Sequence, residues 1–484
     1  AWPQKNPLRQ YAPRRTIGTV DAKRFVARLV CGCRQTGQVQ AYWAFRDPDV
    51  YLSPTTKHLP AMHTILDTLK LRGLYENQTS PELDAVLQKP ATIYAGFDPS
   101  SSSLQAGNFV AIMALAHFQR AGHRVIALAG GATGLIGDPS GKSAERQLLS
   151  EEEVRHNLEG IQENLSRFID FSHPTAPAKL VNNYDWFKDI TFISFLREIG
   201  KHFRMTQMLG KESVKKRMDA EDGMSFTEFC YQLLQAYDFL WLHDHEGCRV
   251  QLGGSDQWGN ITAGTELIRR LRGAETFGLT IPLVCDSQGR KFGKSEGNAI
   301  YLDPRKTSYY DFYQFFLRTA DADAARYLRI FTFLPLEQIA QLEEQVKAAP
   351  EKREAQRVLA EEVTRCVHGA HGVTVAQSAS EVLFGGALDG LSLTDLLGIF
   401  ANVPSAELLR EAVVGKPVLD VAAAAGLFAS KGEARRLVQQ GGLYLNNRRV
   451  VDIAQVVAAD DLIEDRVAVL RAGKKNFHLI KIAG

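Results

Sequence analysis

Long apolar runs are missing from this chain. None of its 484 residues belongs to an uninterrupted apolar stretch of 18 or more, the length a membrane-crossing helix needs. Cysteine is scarce too: six residues, at 31, 33, 230, 248, 285 and 366, with no repeated CxxC pair. That excludes a disulfide framework, offers no structural zinc site, and makes a reducing, intracellular setting the default. There is no GxGxxG fingerprint, no Walker loop, no internal repeat and no low-complexity tract. What remains is an ordinary globular composition, 45% apolar and 23% charged, with chain enough for several domains.

Charge of one sign is also lacking overall, but the net +2 hides two basic ends. Residues 1–61 carry ten Lys/Arg against three acids and residues 416–484 eleven against seven, leaving the stretch between at −9. A negative body with a basic C-terminal module fits an enzyme carrying a polyanion-binding appendage. Residues 1–61 are acid-poor, Arg-rich and aperiodic, which suits an organelle transit peptide or, equally, sequence upstream of a start at Met62.

From Met62 the periodicity becomes regular. Residues 62–89 predict one or two short helices with Ile65, Leu66, Leu69, Leu71 and Leu74 as the apolar stripe. A strand at 92–98, a helix at 104–122 and a buried strand at 123–134 form a βαβ unit of a parallel sheet, which puts any ligand at the strand C-termini. Residues 145–245 read as largely helical with a further strand near 179–186. A strand ending in glycines at 248–260, a helix at 261–271 and a strand at 279–284 follow. Residues 305–369 are expected to be helical and 370–415 to be connecting. From Pro417 two helices precede short strands.

Four loops carry the chemistry. YAGFDPSSSSLQAGN (94–108) ends a strand at Asp98-Pro99 and starts a serine-capped helix, a site suited to an anion, with the bare backbone of Gly107 open to a flat ligand. GGATGLIGDPSGK (130–142) is dense in glycine with one acid, Asp138. GGSDQWGN (253–260) sets Asp256 and Gln257 at a strand end. GRKFGKSEGN (289–298) spaces Lys291 and Lys294 three apart, able to close over a triphosphate and stabilise charge as pyrophosphate leaves. Each alone is compatible with a plain polar turn; together on one sheet they predict a shared pocket. Tyr231, Gln235 and Asp238, at i, i+4 and i+7, add a polar stripe to an otherwise apolar helix.

The segments YAGFDP, GGATGLIGDPSGK, NNYDW, QAYDF, GGSDQWGN and KFGKS, in this order, resemble the bacterial-type tyrosyl-tRNA synthetases, a class I aminoacyl-tRNA synthetase family, from about residue 62 to 484. The resemblance implies an α/β fold: a Rossmann-like parallel-sheet catalytic domain with a helical insertion over 62–300 and an α-helical anticodon-side domain over 301–375. A connector at 376–415 and a small α+β RNA-binding domain at 416–484 follow, the latter similar to the one named after ribosomal protein S-four. It implies ATP-dependent activation of L-tyrosine to tyrosyl-adenylate, release of pyrophosphate, and transfer to the 3′ end of tRNA(Tyr) for protein biosynthesis. Mg2+ is expected with ATP, without a dedicated protein metal site.

By the same resemblance SLQAGN occupies the place of the HIGH motif and KFGKS that of KMSKS, making Gln105, Asn108, Lys291 and Lys294 catalytic. Gln105 departs from the usual histidine, Asn108 is a commoner variant, and Ser100 replaces a threonine; an amide donates to a phosphate oxygen but carries no charge. Tyr94 and Asp238 would take the phenol, Tyr231, Gln235 and Asp138 the ammonium group, and Gln257 would stand near the carboxylate. Asp98, Gly107 and Asp256 would face ATP with the two lysines. Lys142 and Arg146 would meet the tRNA acceptor end, and Lys431, Arg435, Arg436, Lys474 and Lys475 RNA phosphates. A homodimer through the insertion near 180–240 is implied, in the cytoplasm, or in a mitochondrion or plastid if residues 1–61 are a transit peptide. Two other readings compete. A synthetase-like RNA-binding protein without catalysis has only Gln105 in its favour; a sister enzyme for tryptophan is opposed by the Tyr94 and Asp238 pair.

Overall fold

The alternation of apolar strands and helices resolves into a six-stranded sheet. In a computed structural model that describes residues 64–140, 149–219, 223–295, 298–383, 385–386, 388, 391–400, 403–428, 430–473 and 476–483, the strands are β1 (Asn77–Gln78), β2 (Thr92–Phe97), β3 (Arg124–Ala129), β4 (Lys179–Asn182), β5 (Cys248–Gly254) and β6 (Phe277–Ile281). They stand in the order β1-β6-β5-β2-β3-β4, parallel throughout except where β1 meets β6. β2, β3, β5 and β6 are apolar on both faces because helices cover both. The chain steps outward from β2 to β3 and β4, then returns to the other side of β2 with β5. Strand order therefore reverses between β2 and β5, and their C-terminal ends open the crevice where such sheets bind ligands.

Three helices frame that crevice: α1 (Ala106–Arg120), α2 (Phe226–Glu246) and α3 (Trp258–Arg272). α2 is fixed at its start by a capping box, the Glu228 amide donating to Ser225 Oγ at 3.2 Å and the Ser225 amide to Glu228 Oε2 at 3.1 Å. Glu228 is also held by Arg217 at 3.0 Å, both side chains nearly fully buried.

The helix Ile65–Arg72 buries Ile65, Leu66 and Leu69, and Leu74 follows it inward, but Leu71 is 47% exposed. At 100° per residue Leu71 lies opposite the stripe and Arg72 comes round to the core instead. There Arg72 donates to the carbonyls of Arg329, Thr332 and Leu334.

Beyond the sheet, helices Tyr309–Leu317, Asp321–Phe331, Leu336–Ala348 and Glu354–Leu383 pack around Phe312, Phe316 and Phe331. The helical pattern expected to end at 369 is broken there by Gly369 (φ 71°, ψ −175°) and then resumes to Leu383. The stretch expected to be connecting also supplies Ser405–Leu409, an edge strand parallel to Asn476–Ala483 in a five-stranded sheet with Leu443–Leu445, Arg448–Arg449 and Val467–Ala472. That sheet, with helices Val418–Ala424 and Lys431–Gln439, has its own apolar core. Among the described residues no helix is long and apolar enough to cross a membrane.

Candidate active site

At the end of β2 a tyrosine and an aspartate are enclosed together. Tyr94 is 1% exposed, its ring 5.4 Å from that of Phe239, and its hydroxyl has no hydrogen-bond partner among the described residues. Asp238, on α2 one residue before Phe239, accepts from Trp186 Nε1 at 2.9 Å through Oδ1 and from Asn183 Nδ2 at 3.1 Å through Oδ2. Burial pushes its carboxyl up to about 8, the Asn183 and Trp186 hydrogen bonds pull it back, and the charge of Asp98 adds to the rise. Burial, then the nearness of Asp238, raises the Tyr94 hydroxyl well above its ordinary value. The pair is thus dry, prewired on the aspartate side and open on the tyrosine side.

The network continues from Asp238. Asn183 also donates to Thr133 Oγ1 at 3.0 Å, Thr133 donates to Asp98 Oδ1 at 2.9 Å, and Tyr231 Oη donates to Asp98 Oδ2 at 2.7 Å. Gly130 is required here, because a Cβ at that position would collide with the Asp98 and Thr133 oxygens. The glycine density of the 130–142 loop thus has a local packing cause. Asp98, expected toward ATP, lies against Tyr231, expected at the ammonium group.

A second cluster forms where β5 gives way to α3. Asp138 accepts from the Ser140 amide at 3.0 Å and from Gln257 Nε2 at 2.6 Å. Asn260 Nδ2 reaches Gln235 Oε1 at 2.9 Å and Gln257 Oε1 at 3.2 Å. Three of the residues expected around the amino acid's charged groups (Asp138, Gln235, Gln257) therefore share one network. Burial and the charge of Asp138 raise the Asp256 carboxyl against the pull of Lys291, so the acid end of the GGSDQWGN loop senses the lysine loop.

The other side of the crevice is more open. At the start of α1 the Gln105 amide donates to Asn108 Oδ1 at 3.1 Å, and Gly107 and Asn108 are exposed. The lysine loop lies directly against this turn: the Ala106 amide donates to the Ile300 carbonyl at 2.8 Å, and the Ile300 amide to the Gly293 carbonyl at 2.9 Å. Gly293 needs to be glycine, since its φ is +89° and a Cβ would stand 3.0 Å from the Gly107 nitrogen. Gly107 itself would accept a Cβ, the nearest atom being the Phe292 carbonyl oxygen at 3.9 Å. Phe292 anchors the loop, stacked on Phe331 at 4.6 Å, while Lys291 is exposed. Lys294 opens a two-residue ribbon, Lys294–Ser295 with Asn298–Ala299. Lys142, Arg146, Lys474 and Lys475 lie outside the described residues.

Comparison with known proteins bears on most of the chain, residues 87–385 and 395–480. A family profile described as tRNA synthetases class I (W and Y) matches residues 87–385, and one described as the Tyrosine--tRNA ligase SYY-like C-terminal domain matches residues 395–480. The tyrosine–tRNA ligase of Protochlamydia amoebophila is 49% identical over 87% of this chain and 99% of its own length. The chain belongs to the tyrosine–tRNA ligase family of class I tRNA synthetases. The Bacillus caldotenax tyrosine–tRNA ligase is 50% identical over 87% of this chain and 100% of its own length. A C-terminally truncated mitochondrial tyrosyl-tRNA synthetase of Aspergillus nidulans superposes with a TM-score of 0.60 at 32% identity, covering 67% of this chain and 95% of that one.

Four residues of this family member's crevice carry no assignment from sequence: Thr133, Asn183, Trp186 and Asn260. Asn183 and Trp186 lie inside NNYDW, and Asn260 closes GGSDQWGN, so the motifs contained them without disclosing their partners. Asn183 is fully buried and Trp186 is 7% exposed; a polar donor set just after an apolar strand is the signal that could have found them.

Proposed function

We propose that the chain is an ATP-dependent tyrosine–tRNA ligase working through two steps in the β2–β5 crevice. The observation that carries this reading is the enclosed pair of Tyr94, with a free hydroxyl, and Asp238, with its carboxyl group held by Trp186 and Asn183. Such a pair matches a phenol, and an amino acid without a hydroxyl would leave the enclosed Tyr94 hydroxyl without a partner. Asp98, Tyr231, Asp138, Gln235 and Gln257 supply a ring of acids and amides for an ammonium and a carboxylate.

In the first step the substrate carboxylate, already ionised, attacks the α-phosphate of ATP and pyrophosphate leaves. No general base is required, so the burden falls on positioning and on charge stabilisation. The start of α1, with Gln105 and Asn108, and the abutting loop with Lys291 and Lys294 are the groups for the triphosphate. The Mg2+ of this reading is the one ATP carries. In the second step a terminal ribose hydroxyl of tRNA attacks the tyrosyl carbonyl carbon of the adenylate, the acyl–phosphate bond breaks and AMP leaves, while the exposed Lys431, Arg435 and Arg436 of the C-terminal helix would hold RNA phosphates.

The reading extends to a cytoplasmic homodimer. Phe192, Ile193, Met205 and Phe226, 62%, 70%, 58% and 66% exposed, offer an apolar surface near 180–240 for a second copy to cover. The test of the activity is pyrophosphate exchange into ATP with tyrosine, tryptophan and phenylalanine offered separately. Exchange with tyrosine alone is expected; folded protein giving none with tyrosine rejects the reading.

A further inference from the structure

The start of α1 brings no positive charge to the open end of the crevice, because Gln105 ends in an amide. Opposite it runs the segment that follows the lysine loop. Gln105 and Tyr301 form an antiparallel bridge. On either side of it the Ala106 amide donates to the Ile300 carbonyl at 2.8 Å and the Leu302 amide to the Leu104 carbonyl at 2.9 Å. Residues directly opposite in such a pairing send their side chains to the same face, so the Gln105 amide and the Tyr301 ring leave on one side.

A turn brings Lys306 back onto that side. The Lys306 and Thr307 amides both donate to the Asp303 carbonyl at 3.0 Å, and Thr307 Oγ1 accepts from the Tyr301 amide at 3.0 Å. Lys306 Nζ stands over the Tyr301 ring, 4.9 Å from its centroid, and donates to Ser101 Oγ at 2.7 Å. Its neighbour Arg305 is neutralised, by Asp303 at 2.7 Å and Glu163 at 3.0 Å. Lys306 forms no ion pair among the described residues, and it is exposed. An ammonium group is thus held by a ring face and a hydroxyl, yet left uncompensated, beside a helix start suited to an anion.

We propose that Lys306 is a further triphosphate-binding residue: it supplies, at the start of α1, the positive charge that Gln105 does not carry, with Ser101 and the Tyr301 ring holding its ammonium group in place. Unlike Lys291 and Lys294 it is anchored to the approach of α1 and not to the glycine-rich loop. The ligand class is a polyphosphate, and its identification with ATP rests on the tyrosine-ligase reading above.

The test combines pyrophosphate exchange with calorimetric titration of inorganic tripolyphosphate in the absence of tyrosine, on the full-length protein and its Lys306→Met, Lys306→Gln and Lys306→Arg variants. Loss of one charge-assisted contact predicts that Lys306→Met and Lys306→Gln raise KM for ATP about tenfold and weaken tripolyphosphate binding by a similar factor. KM for tyrosine should stay within about twofold and the urea midpoint should not move. Lys306→Arg recovers most of the loss. In a Gln105→His background at about pH 6, where an unperturbed imidazole is largely protonated, Lys306→Met should cost only about threefold, because a second cation shares the work. Equal rises in KM for ATP and tyrosine, unchanged tripolyphosphate affinity, or a loss confined to KM for tRNA overturns the proposal. A wild-type protein that binds tripolyphosphate through Lys306 but gives no tyrosine-dependent exchange would keep this site and sink the ligase reading instead.

Discussion

At the Tyr94 end of the crevice the polar side chains are buried and wired to one another, from Trp186 through Asp238, Asn183, Thr133 and Asp98 to Tyr231. At the Lys291 end the lysine, Gly107 and Asn108 are exposed, and what holds the turn is backbone pairing and the buried ring of Phe292. The contrast follows from what each end has to do. Choosing a phenol over a benzene ring depends on desolvated groups that cannot find water as a substitute partner. Accommodating a charged triphosphate and then releasing pyrophosphate depends on ammonium groups that stay solvated until the substrate arrives. Substitutions at the first end should therefore damage selection and stability together, and those at the second should damage turnover alone.

The largest expected break is Asp238→Ala. It removes the phenol's partner and strands the Trp186 and Asn183 donors, so tyrosine activation should fall on the order of 10³-fold. Denaturant unfolding should show a loss of about 2–4 kcal/mol, while ATP affinity stays near wild type. Activation kinetics unchanged from wild type would remove Asp238 from the pocket. Lys291→Ala is the counterpart at the open end: kcat for exchange should fall about 10²-fold, with KM for tyrosine and the unfolding midpoint unmoved. A destabilised Lys291→Ala protein would erase the contrast.

Much of this was legible in the sequence, and the illegible parts share a cause. Strands that are apolar on both faces, two of them running into paired glycines, announce a parallel sheet, so β2, β3, β5 and β6 and the crevice at their ends could be placed in advance. The i, i+4, i+7 spacing of Tyr231, Gln235 and Asp238 likewise put three side chains on one face of α2. Asn183 and Trp186 could not be tied to Asp238, more than 50 residues away, because the pairing of β4 with β3 and the packing of α2 on the sheet bring them together. The direction of Asp98 was hidden for a similar reason: the side chain just past a strand's end is aimed by the glycine loop next to it, here Gly130. Ser405–Leu409 gave no signal because an edge strand with alternating exposure carries no apolar run.

Acid and base should separate the two ends as well. The Asp238 carboxyl is raised from 3.8 to about 8 by burial, so the fold favours its neutral form. Its contribution to stability is complete below the unfolded value and is lost as pH rises through the folded one. Between about pH 4 and 8 the ligand-free protein should lose stability steadily through this single proton. Asp238→Asn, which cannot titrate, should show a flatter profile in urea unfolding across pH 5 to 8.5. Parallel profiles would mean that the carboxyl stays ionised in the fold.

The smallest expected effects lie on the C-terminal helix Lys431–Gln439, which belongs with the open end of the comparison because Lys431, Arg435 and Arg436 are all exposed. A phosphate contact made in water contributes modestly and is screened by salt. Arg435→Ala should raise KM for tRNA about three- to fivefold and reduce the salt dependence of tRNA binding by about one unit of log–log slope, with pyrophosphate exchange unchanged. Lys431→Ala should do less than that, since Lys431 is already paired with Asp420 at 2.7 Å and has to leave that partner to meet a phosphate. Measuring both slopes side by side therefore tests whether the helix reads phosphate charge at all: an equal, salt-independent loss from the two would point to altered packing of the helix rather than to contact with RNA.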